Sequence, residues 1–188
     1  GRHQGLDPAQ IKIVIVTHAH ADHGGGAKYL QDKFGAKVVM SAQDWDGTAK
    51  GALGRNNAPR RDIVISDGDK VTLGDTSVTT VFTPGHTPGA ISVIVPVNAG
   101  ATPHTAMMWG GPQWGFRNAD VPAREFYEKS LVKFHQAVKQ AGAELCVYGH
   151  LHTPEWCARG FQGVHDGVEY RLLSCDHLNF RPLLLREL

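Results

Sequence analysis

Short β-branched apolar runs alternate along this chain with polar, glycine-rich breaks. Residues 11–17, Ile-Lys-Ile-Val-Ile-Val-Thr, read as a buried strand. Residues 18–26 read as a polar loop, and residues 27–34 as a short helix ended by Gly35. A second strand follows at 37–40, then a polar helical or irregular stretch to about residue 60. Residues 62–66, 70–73 and 77–82 have strand character. The turn signals Asp67-Gly68-Asp69 and Gly74-Asp75 between them predict a meander or hairpins. Residues 83–89 form a Pro/Gly turn, 90–97 a buried strand and 105–109 another strand.

The best helix spans 122–141. Asp120 can cap it, Pro122 sits near its start and Gly142 can stop it. Tyr127, Leu131, Phe134, Val138 and Ala141 recur at steps of three and four, which gives one buried face. Residues 145–148 form a strand leading to Gly149-His150-Leu151-His152, and 168–174 and 182–185 are the last strand candidates. No repeat, low-complexity block or linker divides the chain. The mixture predicts a single α/β domain over 1–188, with helices covering sheets.

Composition narrows the function classes. The 19 Lys+Arg against 18 Asp+Glu leave a net charge of +1, no electrostatic footprint for nucleic acid or a membrane surface. No run approaches the ~18 apolar residues of a bilayer span. The 3 Cys do not form a disulfide framework. Residue 1 is Gly and no signal-peptide pattern follows, so either a leader was removed or the chain starts within a longer parent. Location is left unknown, with the cytoplasm as default.

The 11 His are the informative count. Thr17-His18-Ala19-His20-Ala21-Asp22-His23 puts three imidazoles and a carboxylate directly after an apolar strand, a donor set suited to zinc and similar divalent metals. Residues two apart in an extended segment point the same way, so His18 and His20 can grip one ion while Asp22 and His23, past the bend, face a second.

These residues resemble the His-x-His-x-Asp-His signature of metallo-β-lactamase-fold hydrolases. Thr83-Pro84-Gly85-His86-Thr87-Pro88-Gly89 is similar to that superfamily's next metal motif. The resemblance implies an αββα sandwich with His18, His20 and His86 on one metal and Asp22 and His23 beginning the second site. Most members bridge the metals with an Asp at the next strand end, where this chain has Met107-Met108-Trp109-Gly110-Gly111. That departure resembles the β-lactamase subclass without a bridging carboxylate, which implies a late His ligand, and His150 stands in that place. The segment from about 144 to 188, with Gly149-His150-Leu151-His152, resembles instead the carboxyl end of calcineurin-like metallophosphoesterases. The chain is therefore expected to change ancestry near residues 142–146.

The implied activity is hydrolysis by a metal-bound hydroxide held by two divalent ions, zinc by default, with manganese, iron or cobalt also fitting. Asp22 would orient the hydroxide, and His152 or Tyr148 would stabilise an oxyanion or protonate a leaving group. Phosphoesters, promiscuously including di- and triesters, are the preferred small-molecule substrates, and β-lactams or lactones the alternative. A metal-binding but inactive remnant is the alternative of another class. Trp109, Trp114, Phe116 and Trp156 either line the cleft mouth or serve the core. His3, His104, His135, His165 and His177 are expected to be structural or exposed. The resemblance also implies missing amino-terminal strands, hence an uncovered edge or apolar face and a homodimer that buries it.

Overall fold

The structure of the protein is a computed structural model that describes residues 7–54, 56–111, 121–174 and 177–179. After a 3-10 turn at Pro8–Gln10, β1 (Ile13–Ile15), β2 (Lys37–Ser41) and β3 (Ile63–Ile65) form a parallel three-stranded sheet in that order. Three helices lie between these strands: α1 (Ala21–Gly24), α2 (Ala27–Phe34) and α3 (Ala42–Ala49). The second sheet has seven strands, β4 (Lys70–Leu73), β5 (Thr76–Phe82), β6 (Ile91–Ala99), β7 (Thr102–Trp109), β8 (Leu145–Tyr148), β10 (Val168–Leu172) and β9 (Gly163–His165), in that spatial order. Its first four strands are an antiparallel meander. The long helix α4 (Val121–Gln140) then carries the chain to β8, which pairs parallel with β7, and the short helix α5 (Pro154–Ala158) precedes the β9–β10 hairpin.

Four apolar layers explain the order. Val16, Ala27, Val38, Met40, Trp45 and Leu53 pack α2 and α3 on the outer face of the small sheet. Val39, Ile65, Val71 and Ile91, with Ile13, Ile15, Ile63 and Phe82, fill the space between the sheets. Val81, Met107, Cys146, Val168 and Tyr170 receive Phe134 and Val138 of α4 on the outer face of the large sheet. A fourth cluster, Tyr148, Leu151, Cys157 and Leu172, seats α5. The result is an αββα sandwich, as expected from the sequence.

Three local expectations differ. Residues 62–82 do not form one meander: β3 joins β2 in the small sheet, and the turn at 66–69 carries the chain across to the other sheet. Ser66 N and Phe82 N donate to Asp69 and Asp67 there, so these acids fix a crossover instead of a hairpin. The loop at 18–26 contains a helical turn, α1, with His20 as its extended N-cap residue. The helix α5 and strand β9 lack a sequence period long enough to show. The expected Asp120 cap, the strand at 182–185, and His3, Trp114 and Phe116 lie outside the described residues.

No helix among the described residues is long and apolar enough to cross a membrane.

Candidate metal centre

The segment after β1 is extended through His20 (φ −108°, ψ 152°) and then turns into α1. This change of backbone sorts the motif: His18 and His20 leave on the extended part, Asp22 and His23 on the helical turn. His86 arrives from the β5–β6 connection, and His150 and His152 from the segment after β8. His150 is one of the few described non-glycine residues with positive φ, at 70°, a backbone conformation that costs energy and clusters at functional sites.

Three overlapping groups form, each with one donor atom per residue and all donors within 4.8 Å of one another: His18, His20 and His86; His18, His23 and His150; Asp22, His150 and His152. His20 Nδ1 lies 3.0 Å from His86 Nε2, and His23 Nε2 lies 2.7 Å from His150 Nδ1. The Asp22 carboxylate is 3.3 Å from His152 Nε2, 3.4 Å from His23 Nε2 and 3.5 Å from His150 Nδ1. The structure thus brings together all seven predicted residues, and both His150 and His152 reach the site.

The donor chemistry fits a divalent metal, and His18 shows why. It is fully buried, and its Nδ1 donates to the Gly110 carbonyl at 2.7 Å. That bond fixes the tautomer and leaves Nε2 as a lone pair, buried without a hydrogen-bond partner among the described residues. An imidazole anchored at one nitrogen and unsatisfied at the other is the usual arrangement of a metal ligand.

The electrostatics agree. Burial, followed by the neighbouring His23 and His86, lowers the His18 pKa to about 3. Burial also lowers His23 and His86 to about 4 each, and lowers His150. The rings are therefore neutral, as ligation requires. Burial pushes the Asp22 carboxyl up, but His23, its own backbone amide, His150 and His152 outweigh this and hold it below its ordinary value.

Gly110 lies in the segment that lacks the bridging carboxylate, and it is tightly packed. A Cβ on Gly110 would lie 1.6 Å from the Ile91 carbonyl oxygen and 2.9 Å from Thr17 Cβ. Gly110 also accepts the His18 bond, and its own amide donates to Ser92 Oγ at 3.2 Å. No side chain fits at that position while these contacts stand.

Two weaker expectations change. The Tyr148 hydroxyl donates to the Phe161 carbonyl, so its proton is engaged there, and burial pushes its pKa up to about 12. Trp109 stacks on Phe134 with centroids 5.2 Å apart, and so belongs to the α4 packing, although its edge also lines a cavity of about 200 Å³ beside Thr17, His23, Met108, Tyr148 and His150. Trp156 is exposed on α5. His104 lies 3.4 Å from the Glu144 carboxylate, and His177 is exposed. His135 is not a lone bystander. Together with His165 and Asp166 it forms a further group of close donors, away from this site.

Sequence reasoning missed Asp44. It is 3% exposed, and its carboxylate accepts from the Ala19 amide and from Thr87 Oγ1, each at 3.0 Å. The Gly89 amide donates to it as well. Burial raises its pKa, and these donors hold it back. In sequence it sits within a polar helical or irregular stretch, with no motif to mark it.

A family model described as the metallo-beta-lactamase superfamily matches residues 2–98. The chain belongs to the metallo-β-lactamase superfamily. A probable metallo-hydrolase of Burkholderia pseudomallei is 30% identical over 135 residues, which are 63% of this chain and 46% of that protein. A hydroxyacylglutathione hydrolase of Acidiphilium cryptum is 27% identical over 148 residues, 77% of this chain and 52% of that one. The chain therefore spans about half the length of these relatives.

Among solved structures, the class B3 di-zinc metallo-β-lactamase LRA-12 from an Alaskan soil metagenome superimposes with a TM-score of 0.61 at 23% identity, covering 78% of this chain and 60% of that one. The subclass B3 metallo-β-lactamase BJP-1 of Bradyrhizobium japonicum gives 0.59 at 23% identity, covering 89% and 67%. These likenesses show the fold. The 89% coverage reaches past residue 143, and β8 and β10 continue the same sheet as β7. The expected change of ancestry near residue 143 thus finds no support in the architecture.

Proposed function

We propose that residues 1–188 act as one metallohydrolase domain with a dinuclear site. His18, His20 and His86 would hold one ion, and Asp22, His23 and His150 the other. The observation that carries this reading is the buried, unpartnered Nε2 of His18 at the junction of the two groups, with its Nδ1 fixed by Gly110. Two divalent ions, zinc by default, supply Lewis acidity and lower the pKa of water toward ~7. The chain's own residues do the rest. Asp22 has carboxylate lone pairs to accept a proton from attacking water and orient it. His152, half exposed beside Asp22, would donate a proton to a leaving group.

The preferred substrates are phosphoesters, including di- and triesters. This preference rests on chemistry, since two adjacent metal ions suit in-line displacement at phosphorus. A β-lactam or lactone reading is favoured by the segment Met107 to Gly111, which carries no carboxylate to bridge two ions. The test is to load the chain with zinc or manganese, count bound metal, and assay aryl phosphate mono-, di- and triesters beside a chromogenic β-lactam. Turnover should vanish with chelator and in His20→Ala. Two bound ions without turnover of either class would leave a metal-binding, inactive remnant.

The proposed assembly is a homodimer. Among the described residues β1 pairs only with β2, so its other edge is unpaired, and Ile11 and Tyr29 nearby are 38% and 56% exposed. Light scattering at micromolar concentration should give twice the chain mass, and a stable monomer would reject the assembly.

A further inference from the structure

Asp44 sits at the start of α3, outside both ligand motifs, yet its carboxylate is wedged between the two loops that bear them. The Ala19 amide that donates to it lies between His18 and His20. The Thr87 hydroxyl that donates to the same oxygen, Oδ2, follows His86 directly. The Gly89 amide closes the set from the far end of that turn. Gly89 can approach only because it lacks a side chain: a Cβ there would stand 2.0 Å from Ser41 Oγ and 2.9 Å from Asp44 Oδ1. Ser41 Oγ in turn accepts from the Asp44 amide at 3.2 Å and caps α3, so the backbone that presents the carboxylate is itself held.

These bonds join three pieces of chain distant in sequence. Residues 19 and 87 carry no metal-binding chemistry, but each is covalently next to a histidine of the group His18, His20 and His86. A carboxylate that accepts from both fixes the spacing of the two loops before any ion arrives. Charge-assisted bonds to one buried anion are stronger than neutral ones, and a neutral amide cannot accept in the same way from every donor. The group Asp22, His23 and His150 has no such tie among the described contacts of Asp44.

We infer that Asp44 is a positioning residue that registers the Ala19 and Thr87 loops against each other, and so sets the metal affinity of the His18, His20 and His86 position selectively. The inference rests on the reading of those histidines as ligands. Removing an outer partner of a metal site commonly costs about 10–100-fold in affinity, and the loss should fall on one of the two ions.

The experiment compares wild type, Asp44→Asn and Thr87→Val by zinc competition against a chromogenic chelator and by the visible spectrum of cobalt(II) added to the metal-free chain. Wild type should bind two ions. Asp44→Asn should lose about 10–100-fold at one position, with the cobalt band of that position altered and the other unchanged. Thr87→Val removes a single donor and should weaken the same position by several-fold, which keeps the test alive if Asp44→Asn does not fold. Equal affinity and identical cobalt spectra in a folded Asp44→Asn, or in Thr87→Val if that is the only folded variant, would overturn the inference. A uniform loss at both positions would overturn its selectivity. A wild-type chain that takes up no ion through His18, His20 and His86 would overturn the ligand reading as well, and so separates the two failures.

Discussion

Replacing Gly110 by alanine puts one methyl group into the most crowded point of the site. The new Cβ would lie 1.6 Å from the Ile91 oxygen and 2.8 Å from its carbonyl carbon, so β6 and the end of β7 must separate by more than an ångström. Overpacking of a tight interior costs about 1–3 kcal/mol. The movement also pulls the Gly110 carbonyl from His18 Nδ1 and the Gly110 amide from Ser92 Oγ, and leaving a buried polar group unpaired costs about 1–3 kcal/mol more. The expected loss is about 2–6 kcal/mol in the metal-free chain, read by urea denaturation with an unchanged slope. Zinc affinity should fall as well, because His18 loses the bond that sets its tautomer. The neighbour gives the control. A Cβ on Gly111 would meet Ala90 Cβ and His86 Cβ at 3.2 Å, a tight but adjustable contact, so Gly111→Ala should cost about 1 kcal/mol or less. A Gly110→Ala chain within about 0.5 kcal/mol of wild type would show that the close approach of β6 does not exclude a side chain at residue 110.

Further outcomes follow from the same contacts. The metal-free chain should be acid-sensitive: His18 is held at about 3 and His23 and His86 at about 4, so the unfolded chain takes up protons below pH ~6.5 while the fold does not. Stability is then full above pH ~6.5 and falls toward pH 3–4. His18 alone contributes on the order of 4 kcal/mol, and flat urea midpoints between pH 7 and pH 5 would contradict it. Tyr148→Phe should lose about 1 kcal/mol through the Phe161 bond and leave the pH profile of turnover unmoved; a lost basic limb in that profile would return Tyr148 to the chemistry. Met107 is fully buried under α4, so Met107→Ala should cost about 2–5 kcal/mol by thermal or urea unfolding, and a smaller loss would mean that Phe134 and Val138 close over the gap.

How much was legible beforehand follows from the distance between cause and partner. His18, His20, Asp22 and His23 announce themselves because six consecutive residues carry the donors, and local backbone geometry suffices to divide them. The strands β2, β5, β6 and β8 and the helix α4 announce themselves through periodicity, which is also local. The crossover at 66–69 does not, since the same Asp-Gly-Asp sequence closes a hairpin or changes sheets depending on which strand β3 meets. Asp44 does not either. Its partners lie 25 and 43 residues away, and a buried carboxylate looks like any helix-capping one until the loops close over it.

By itself, then, the sequence determined the chemistry on offer: a divalent-metal donor set, a net charge of only +1 and alternating strands and helices that must bury their apolar faces. Tertiary structure alone decided the rest. It brought His86, His150 and His152 to the first motif, turned one His18 nitrogen toward Gly110 and left the other unsatisfied. It also pressed Ile91 so close to Gly110 that no side chain fits at that residue. Each of these depends on which surfaces touch, and a contact such as His18 to Gly110 exists only once the two sheets have packed.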